Sequence, residues 1–255
     1  MTSKRIRWAV AACTAVAALT AGLVLWLTRD THPQRAAVLG EVLVSTDGRT
    51  ITTAVRWTPC QEVKPRLAAS ESSGSVTVAL HEGPADLRHQ CTSTPQLIST
   101  TLDSPLASRK ITDSGTGQTI TPFRAAQLAI PHYLPNGYRM TNNVYPDDAG
   151  QRPGPSPFER TATQGPAWTR FYSTTSGPPS LSITQITGTG PHGSVPGKYV
   201  SGKKAAIGHQ LGYLNEKGSD DRSITWSDGT YTFIVNSASP RIANAQLLEI
   251  ASHLG

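Results

Sequence analysis

Cysteine is scarce in this chain of 255 residues. It has three cysteines, at positions 13, 60 and 91, and none belongs to a CxxC pair or stands near a suitably spaced histidine. Structural zinc sites need such closely spaced thiolates and imidazoles, so we expect no metal site. The histidines are scattered, and we interpret them as surface residues. An acid–base or metal role for His81, Glu82 and His89 is the alternative.

Common catalytic motifs are also missing, since the sequence has neither a GxSxG elbow nor an HExxH pair. The run GTGPHG at residues 188–193 fits GxGxxG, but a turn at Ser194–Lys198 follows it instead of a helix. A dinucleotide site needs a helix N-terminus to hold the pyrophosphate, so we predict a glycine-rich loop here. We therefore expect a protein that is not an enzyme, with no catalytic residues and no cofactor.

Excess charge of one sign is confined to the first 40 residues. The formal net charge is +6, but residues 41–255 contribute only +2 of it because their 18 Lys and Arg are balanced by 16 Asp and Glu. Binding to a phosphate backbone needs a concentrated basic patch, and the sequence shows no basic stripe interleaved with aromatic residues. Nucleic acid is therefore excluded as a partner.

One long hydrophobic run is present near the start. Residues 8–28 carry no charge over 21 positions and follow Lys4, Arg5 and Arg7. A helix of this length, at about 1.5 Å per residue, matches a hydrocarbon core of about 30 Å. Because basic residues stay on the cytoplasmic side, we predict a cytoplasmic tail at residues 1–7, a single-pass anchor in the cell membrane, and an extracytoplasmic remainder. A cleaved signal peptide is the alternative.

The two cysteines beyond this run, Cys60 and Cys91, would then lie in an oxidising compartment. An even number of cysteines in such a compartment favours a disulfide, which here would close a loop of about 30 residues and stabilise the fold by about 2–4 kcal/mol. We predict this bridge, with two unpaired buried thiols as the alternative.

Short alternating segments fill residues 41–121, after a linker at residues 29–40. Segments such as Thr50–Trp57 and Ser75–Leu80 alternate between polar and apolar residues, which is typical of half-buried strands. The turn residues Asp47 and Gly48 interrupt the pattern. We predict a small β domain, a sandwich or a barrel, whose loops the disulfide joins.

Residues 122–255 predict a second domain. Thr121 and Pro122 before FRAAQLAI favour a helix, since Thr is a good N-cap and Pro suits the first helical position. Several strands follow, and the clearest hairpin runs from Ser223 to Val235. The last eleven residues before Gly255 have an apolar helical face. The predicted fold class is α+β, predominantly antiparallel β: a transmembrane helix, a small disulfide-bridged β domain, and an antiparallel sheet with a C-terminal amphipathic helix.

The second domain resembles a group of bacterial extracytoplasmic domains of unknown function. The resemblance rests on YLPNGY at 133–138, a strand with Trp168 and Tyr172, LSITQ at 181–185, WSDGTY at 226–231 and LLEIAS at 247–252. Such domains occur behind single transmembrane helices, sometimes in anti-sigma-factor-like proteins, and are similar to periplasmic lipoprotein-carrier sheets. The resemblance implies a sensing or binding role and no catalytic residues. A tail of seven residues departs from an anti-sigma factor, because it cannot form a sigma-binding domain.

Four aromatic residues are candidates for an apolar groove: Trp168, Tyr172, Trp226 and Tyr231. Strand alternation places about half of such residues in a core, so core packing is the alternative. The function we expect is non-catalytic binding or sensing of a ligand, a lipid or an envelope partner. A structural or assembly role in the cell envelope and a hydrolase with an unrecognised site are the alternatives. The expected partners are the lipid bilayer and either an envelope protein or a small apolar ligand.

Overall fold

The computed structural model describes residues 34–36, 38, 41–57, 63–83, 94–141, 165–174, 180–217 and 221–255. In these ranges the chain forms sixteen strands and one α-helix. The strands of a first unit are β1 (Gln34–Ala36), β2 (Val42–Val44), β3 (Thr50–Trp57), β4 (Arg66–Glu71), β5 (Ser75–Glu82), β6 (Thr94–Thr101), β7 (Lys110–Asp113), β8 (Thr119–Ile120) and β9 (Phe123–Arg124).

A second unit begins at residue 125 with a 3₁₀ turn at Ala125–Gln127. Its strands are β10 (Arg139–Thr141), β11 (Ala167–Ser173), β12 (Leu181–Thr187), β13 (Lys203–Ile207), β14 (Gln210–Lys217), β15 (Asp221–Ser227) and β16 (Tyr231–Ser237). The helix α1 spans Asn244–Ser252.

The first unit consists of two sheets that share one core. One sheet has the order β1-β5-β7-β8, with β4 on the other side of β5, and the second has the order β6-β3-β2-β9. Alternation forms this core: on β5, Val76, Val78 and Leu80 are buried while the residues between them are partly exposed. The pairs β5–β7 and β2–β9 are parallel, whereas the other described pairs in the unit are antiparallel.

The second unit is a seven-stranded antiparallel sheet with the order β10-β11-β12-β16-β15-β14-β13. Its central strands β12 and β16 are buried at almost every residue, as expected for strands covered on both faces. Helix α1 packs on one face through Leu247, Ile250 and Ala251, which join the apolar cluster of the sheet. This side is called the helix face below. Burial of each large aliphatic side chain stabilises such a layer by about 1.5–3 kcal/mol.

The membrane and disulfide parts of the predicted fold class are corrected by the structure. In the described ranges no helix has the length and apolar character needed to cross a bilayer; α1, with nine residues, spans about 14 Å of the required 30 Å. Residues 1–7, 8–28, Cys60 and Cys91 lie outside those ranges, and no disulfide occurs within them. The single-pass membrane localisation and the disulfide-bridged class are therefore not supported, and the described fold is mostly β with one helix.

The helix predicted from Pro122 to Ile130 is also wrong. Phe123 lies instead on β9, where it pairs in parallel with Leu43 of β2 and is almost fully buried. Only the 3₁₀ turn at Ala125–Gln127 is helical. Pairing and burial of Phe123 outweigh the local helix signal, because intrinsic propensity is a weak term next to tertiary packing.

Candidate functional site

A cavity of about 470 Å³ opens on the helix face of the second unit. We call it the Trp226 pocket. Trp226, Tyr231 and Phe233 form its floor, residues 126–129 one wall and the turn at residues 207–210 the opposite wall. The end of α1 also borders it. Its volume falls within the range of about 300–1,000 Å³ that small-molecule sites occupy.

The floor is built by strand register. Phe233 of β16 lies opposite Trp226 of β15, so both side chains point to the same face. Their rings stack at 5.1 Å between centroids with an interplanar angle of 18°, and Tyr231 meets Phe233 at 6.1 Å and 60°. Aromatic pairs in such arrangements contribute about 0.5–1.5 kcal/mol beyond their buried area. The floor is therefore a closely packed aromatic group, in which Trp226 and Phe233 are 3% and 4% exposed and Tyr231 is the partly exposed member.

The structure separates the four aromatic residues that the sequence suggested as a groove. Trp226 and Tyr231 line the pocket. Trp168 on β11 pairs with Gln185 on β12, and Gln185 pairs with Phe233 on β16. Trp168 therefore lies in the same row across the strands as Phe233 and Trp226, but it does not line the pocket. Tyr172 is packed in the apolar cluster of the sheet and also stands outside the pocket lining.

Gln185 fixes the wall at residues 126–129. Its Oε1 accepts a hydrogen bond from the Ala129 N–H at 2.8 Å, and its Nε2 donates to the Gln127 carbonyl at 2.9 Å. The side chain is 1% exposed, so its own amide would be costly to leave unpaired. Gln185 thus positions the wall. Sequence reasoning missed it, although a glutamine inside the apolar strand LSITQIT was the available signal.

Arg170 binds the same wall through a different backbone group. Its Nη2 donates to the Ala129 carbonyl, so Ala129 is bound at both its N–H and its C=O. Burial lowers the pKa of Arg170 and raises the pKa of the neighbouring Tyr172. The wall is therefore preorganised by two polar side chains that rise from adjacent strands of the sheet.

Asp228 supplies the carboxylate of the pocket. It lies in the turn between β15 and β16, where its Oδ1 accepts hydrogen bonds from the N–H groups of Thr230 at 2.8 Å and Tyr231 at 2.7 Å. Gly229, with φ of +95°, provides the left-handed residue of this turn. His209 borders the opposite wall, and the described lining includes neither lysine nor arginine.

Gly212 lies beneath the pocket wall at residues 207–210, where there is little space for a side chain. It lies opposite Trp226 on β14, and a Cβ at this position would stand 2.5 Å from Ile207 Cδ1 and 3.1 Å from the Thr225 carbonyl oxygen. Ile207 lines the pocket. The absence of a side chain at residue 212 therefore lets Ile207 pack against the sheet and sets the position of the pocket edge.

Two other patterns do not assemble a catalytic site. Residues 188–193 form a loop with a short 3₁₀ turn at Pro191–Gly193, and the next regular element is another 3₁₀ turn. Ser201–Lys204 matches an SxxK spacing that sequence reasoning overlooked. That motif works by placing Ser and Lys on one helical face, but Lys204 lies on β13, and Ser201 Oγ accepts a bond from Asn215 Nδ2 at 3.2 Å. Within the described ranges, no three His, Cys, Asp or Glu side chains are grouped for a metal ion.

Comparison with known proteins gives no family assignment. No protein-family model matches the chain, and no curated protein is significantly similar to it. The resemblance of residues 122–255 to bacterial extracytoplasmic domains stays a prediction.

Proposed function

We propose that the protein is a non-catalytic binding protein and that its ligand is a small molecule with an aromatic ring and polar edges, held in the Trp226 pocket. The observation that carries this proposal is a cavity of suitable volume with an aromatic floor and a wall that Gln185 and Arg170 fix in place. A site that is already formed costs less ordering on binding, so more of the contact energy appears as affinity.

The charges of the pocket favour a neutral or cationic ligand. Asp228 supplies a carboxylate, and the described lining contributes no lysine or arginine. An anionic group buried there would lack a cationic partner and would lose hydration without compensation. A cation next to Tyr231 and Asp228 would gain from the π face of the ring and from the carboxylate. A flat ring with a positive substituent therefore suits the site best.

The alternative of a protein-interaction surface has less support. The large apolar side chains that stand out from the described surface are Val63, Ile130, Met140, Val200 and Leu211. They come from five separate segments of the chain, and exposed apolar side chains are normal on folded proteins. The pocket collects apolar and polar groups at one place, which is the usual arrangement of a ligand site.

Three probes of similar size test the proposal on the full chain: indole, benzyltrimethylammonium and phenylacetate. Binding is measured by calorimetry and by chemical-shift changes of the tryptophan side chains. We expect benzyltrimethylammonium and indole to bind and to shift the Trp226 signal, and phenylacetate to bind at least several-fold more weakly.

Two tryptophan variants from the same cross-strand row provide the matched control. Trp226→Phe should weaken binding of indole and benzyltrimethylammonium several-fold, because it removes floor area, whereas Trp168→Phe should leave binding unchanged, because Trp168 stands outside the pocket. Equal effects of the two substitutions, or no binding of any probe, would refute the proposal.

A further inference from the structure

Glu41 buries a carboxyl group where the two units meet. It directly precedes β2, and its own carbonyl accepts a hydrogen bond from Thr53 Oγ1 of β3 at 2.8 Å. Its side chain crosses to the second unit, where Oε2 accepts a bond from the Thr169 N–H at 2.7 Å and Oε1 lies 3.2 Å from Thr169 Oγ1. The residue is 7% exposed. One glutamate therefore links β3 of the first unit to β11 of the second.

The described groups that face this carboxyl are neutral. Thr169 Oγ1 continues to Thr184 Oγ1 of β12 at 3.0 Å, which forms a short hydroxyl chain. Next to Thr169 on the same face of β11 stand Ala167 and Phe171. Arg170 points to the opposite face, where it bonds Ala129.

The strands on the other sides of the carboxyl are equally uncharged. On β12 the neighbours of Thr184 on its face are Ser182 and Ile186. The strand that follows Glu41, β2, is apolar throughout: Val42 and Val44 point into the core of the first unit, and Leu43 lies between them. Glu41 thus has no cationic partner among the described side chains that face it.

The surroundings favour the neutral acid. Burial raises the pKa of Glu41 to about 8, and the two hydrogen bonds from Thr169 only partly oppose this effect. A neutral carboxyl can donate its proton to Thr169 Oγ1, because a hydroxyl both donates and accepts and can reverse its orientation. The hydroxyl of Thr169 then donates to Thr184. The same three groups are therefore fully bonded when Glu41 carries a proton.

A second contact also joins the two units. Phe123 of β9 meets Tyr231 of β16 with ring centroids 6.1 Å apart. Phe123 is 1% exposed, so water is excluded here as well. The chain passes from β9 directly into residues 125–129, which cross to the second unit. Hydration of an ionised Glu41 therefore requires β2 and β11 to separate, because the closed junction offers no countercharge among its described residues.

We propose that Glu41 is a proton-dependent latch between the two units: its neutral carboxyl closes the junction between β2 and β11, and loss of the proton loosens it. The inference does not depend on whether the Trp226 pocket binds a ligand, since it concerns the contact of the two units in the free protein.

Titration of the carboxyl in the full chain is the first test. Carbon-13 NMR of protein labelled at the glutamate carboxyls should show one signal with a midpoint several pH units above the others, near pH 8. The signal should be absent from Glu41→Gln. A midpoint for Glu41 near the ordinary value of 4.5 would overturn the proposal without any need for the variant to fold.

Hydrogen exchange at the Thr169 amide is the second test, because this N–H bonds the latch itself. After correction for the chemical exchange rate, its protection should fall by up to about tenfold per pH unit as the pH rises from about 4.5 towards 8. In Glu41→Gln, whose amide oxygen still accepts the bond, protection should not depend on pH. Glu216→Gln, which removes an exposed carboxylate beside Asn244, should behave like the unaltered protein. The same pH dependence in all three proteins would refute the latch.

Discussion

The two β units differ in what they bury. Within the described ranges, the first unit buries three polar side chains, those of Glu41, Thr53 and Asp113, against a core of aliphatic residues. The second unit buries eleven, all serine, threonine, asparagine or glutamine. Most buried polar groups in folded proteins are hydrogen-bonded, so the second unit depends more on the placement of individual hydrogen bonds.

The partners of these groups also differ. In the first unit Asp113 bonds residues of the turn that follows it: it accepts hydrogen bonds from the Gly115 N–H at 3.1 Å and from Thr116 Oγ1 at 2.7 Å. In the second unit Gln185 bonds residues more than 50 positions away along the chain. Local bonds stabilise a turn, whereas distant bonds position one segment against another. Gln185 is therefore a position where a small polar change should alter the geometry of the pocket wall, whereas a change at Asp113 should alter only its own turn.

Ionisation of Glu41 should have the largest effect on the free energy of unfolding, because this residue joins the two units. Its pKa is raised above the unfolded value, so the stabilisation that it contributes is complete below about pH 4.5 and is lost as the pH rises through about 8. At about 1.4 kcal/mol per pH unit, the free energy of unfolding should fall by up to about 5 kcal/mol over this interval. Chemical denaturation at several pH values measures it.

The control for this pH effect is Glu41→Gln, whose stability should be nearly constant over the same interval. Asp47 and Glu71 act in the opposite sense, since hydrogen bonds lower the pKa of each; their stabilisation is present above the ordinary pKa and lost in acid. Unaltered protein that is as stable at pH 9 as at pH 5 would contradict the assignment.

Apolar truncations compare the cores of the two units directly. Ile111→Ala in β7 and Ile224→Ala in β15 each remove an almost fully buried side chain and should cost about 2–5 kcal/mol of unfolding free energy. Ile224 belongs to the cluster that contains the pocket floor, so its truncation should also weaken binding of indole. Ile111 belongs to the other core, and Ile111→Ala should leave that affinity unchanged. Loss of binding in both variants would mean that the units do not behave independently.

Gln185→Leu should have the next largest effect. It removes the partner of the Ala129 N–H and of the Gln127 carbonyl, and the loss of each hydrogen bond should cost about 0.5–1.5 kcal/mol. Thermal unfolding and indole affinity should both decline, because the pocket wall loses a support. Gln96→Leu on β6 removes the same kind of group from a half-buried position of the first unit. If Gln96→Leu costs as much as Gln185→Leu, the cost of Gln185→Leu does not come from the bonds of Gln185 to the pocket wall.

Strand alternation explains how much of this fold the sequence predicts. Thr50–Trp57, Ser75–Leu80 and the hairpin around Asp228 are confirmed because neighbouring residues alone set their period and turn. The helix near the end of the chain is also confirmed, as α1. These elements depend on local pattern. The sequence carries no comparable signal for the parallel pairing of β2 with β9, which joins segments about 80 residues apart and replaces the predicted helix.

The site is less predictable than the strands for the same reason. Trp226 and Tyr231 could be suggested from their residue type, but which of four aromatic residues line a cavity depends on the register across β12, β15 and β16. Glu41 looks like an ordinary surface glutamate in the sequence. Its burial against Thr169, 128 positions away, exists only after both units have folded.

Asp228→Asn should give the smallest change in stability and the sharpest test of the ligand charge. An asparagine oxygen can still accept the bonds from the N–H groups of Thr230 and Tyr231 that Asp228 Oδ1 accepts, so the turn should persist and unfolding should shift by no more than about 0.5 kcal/mol. Affinity for benzyltrimethylammonium should fall several-fold, whereas affinity for indole should not change, because only the cation interacts with the lost charge. Calorimetry at two salt concentrations measures both affinities. Because added salt screens an exposed charge, it should reduce the difference in benzyltrimethylammonium affinity between the unaltered protein and Asp228→Asn. Equal loss for both probes would indicate a distorted turn, and unchanged cation binding would remove Asp228 from the site and leave the aromatic floor to act alone.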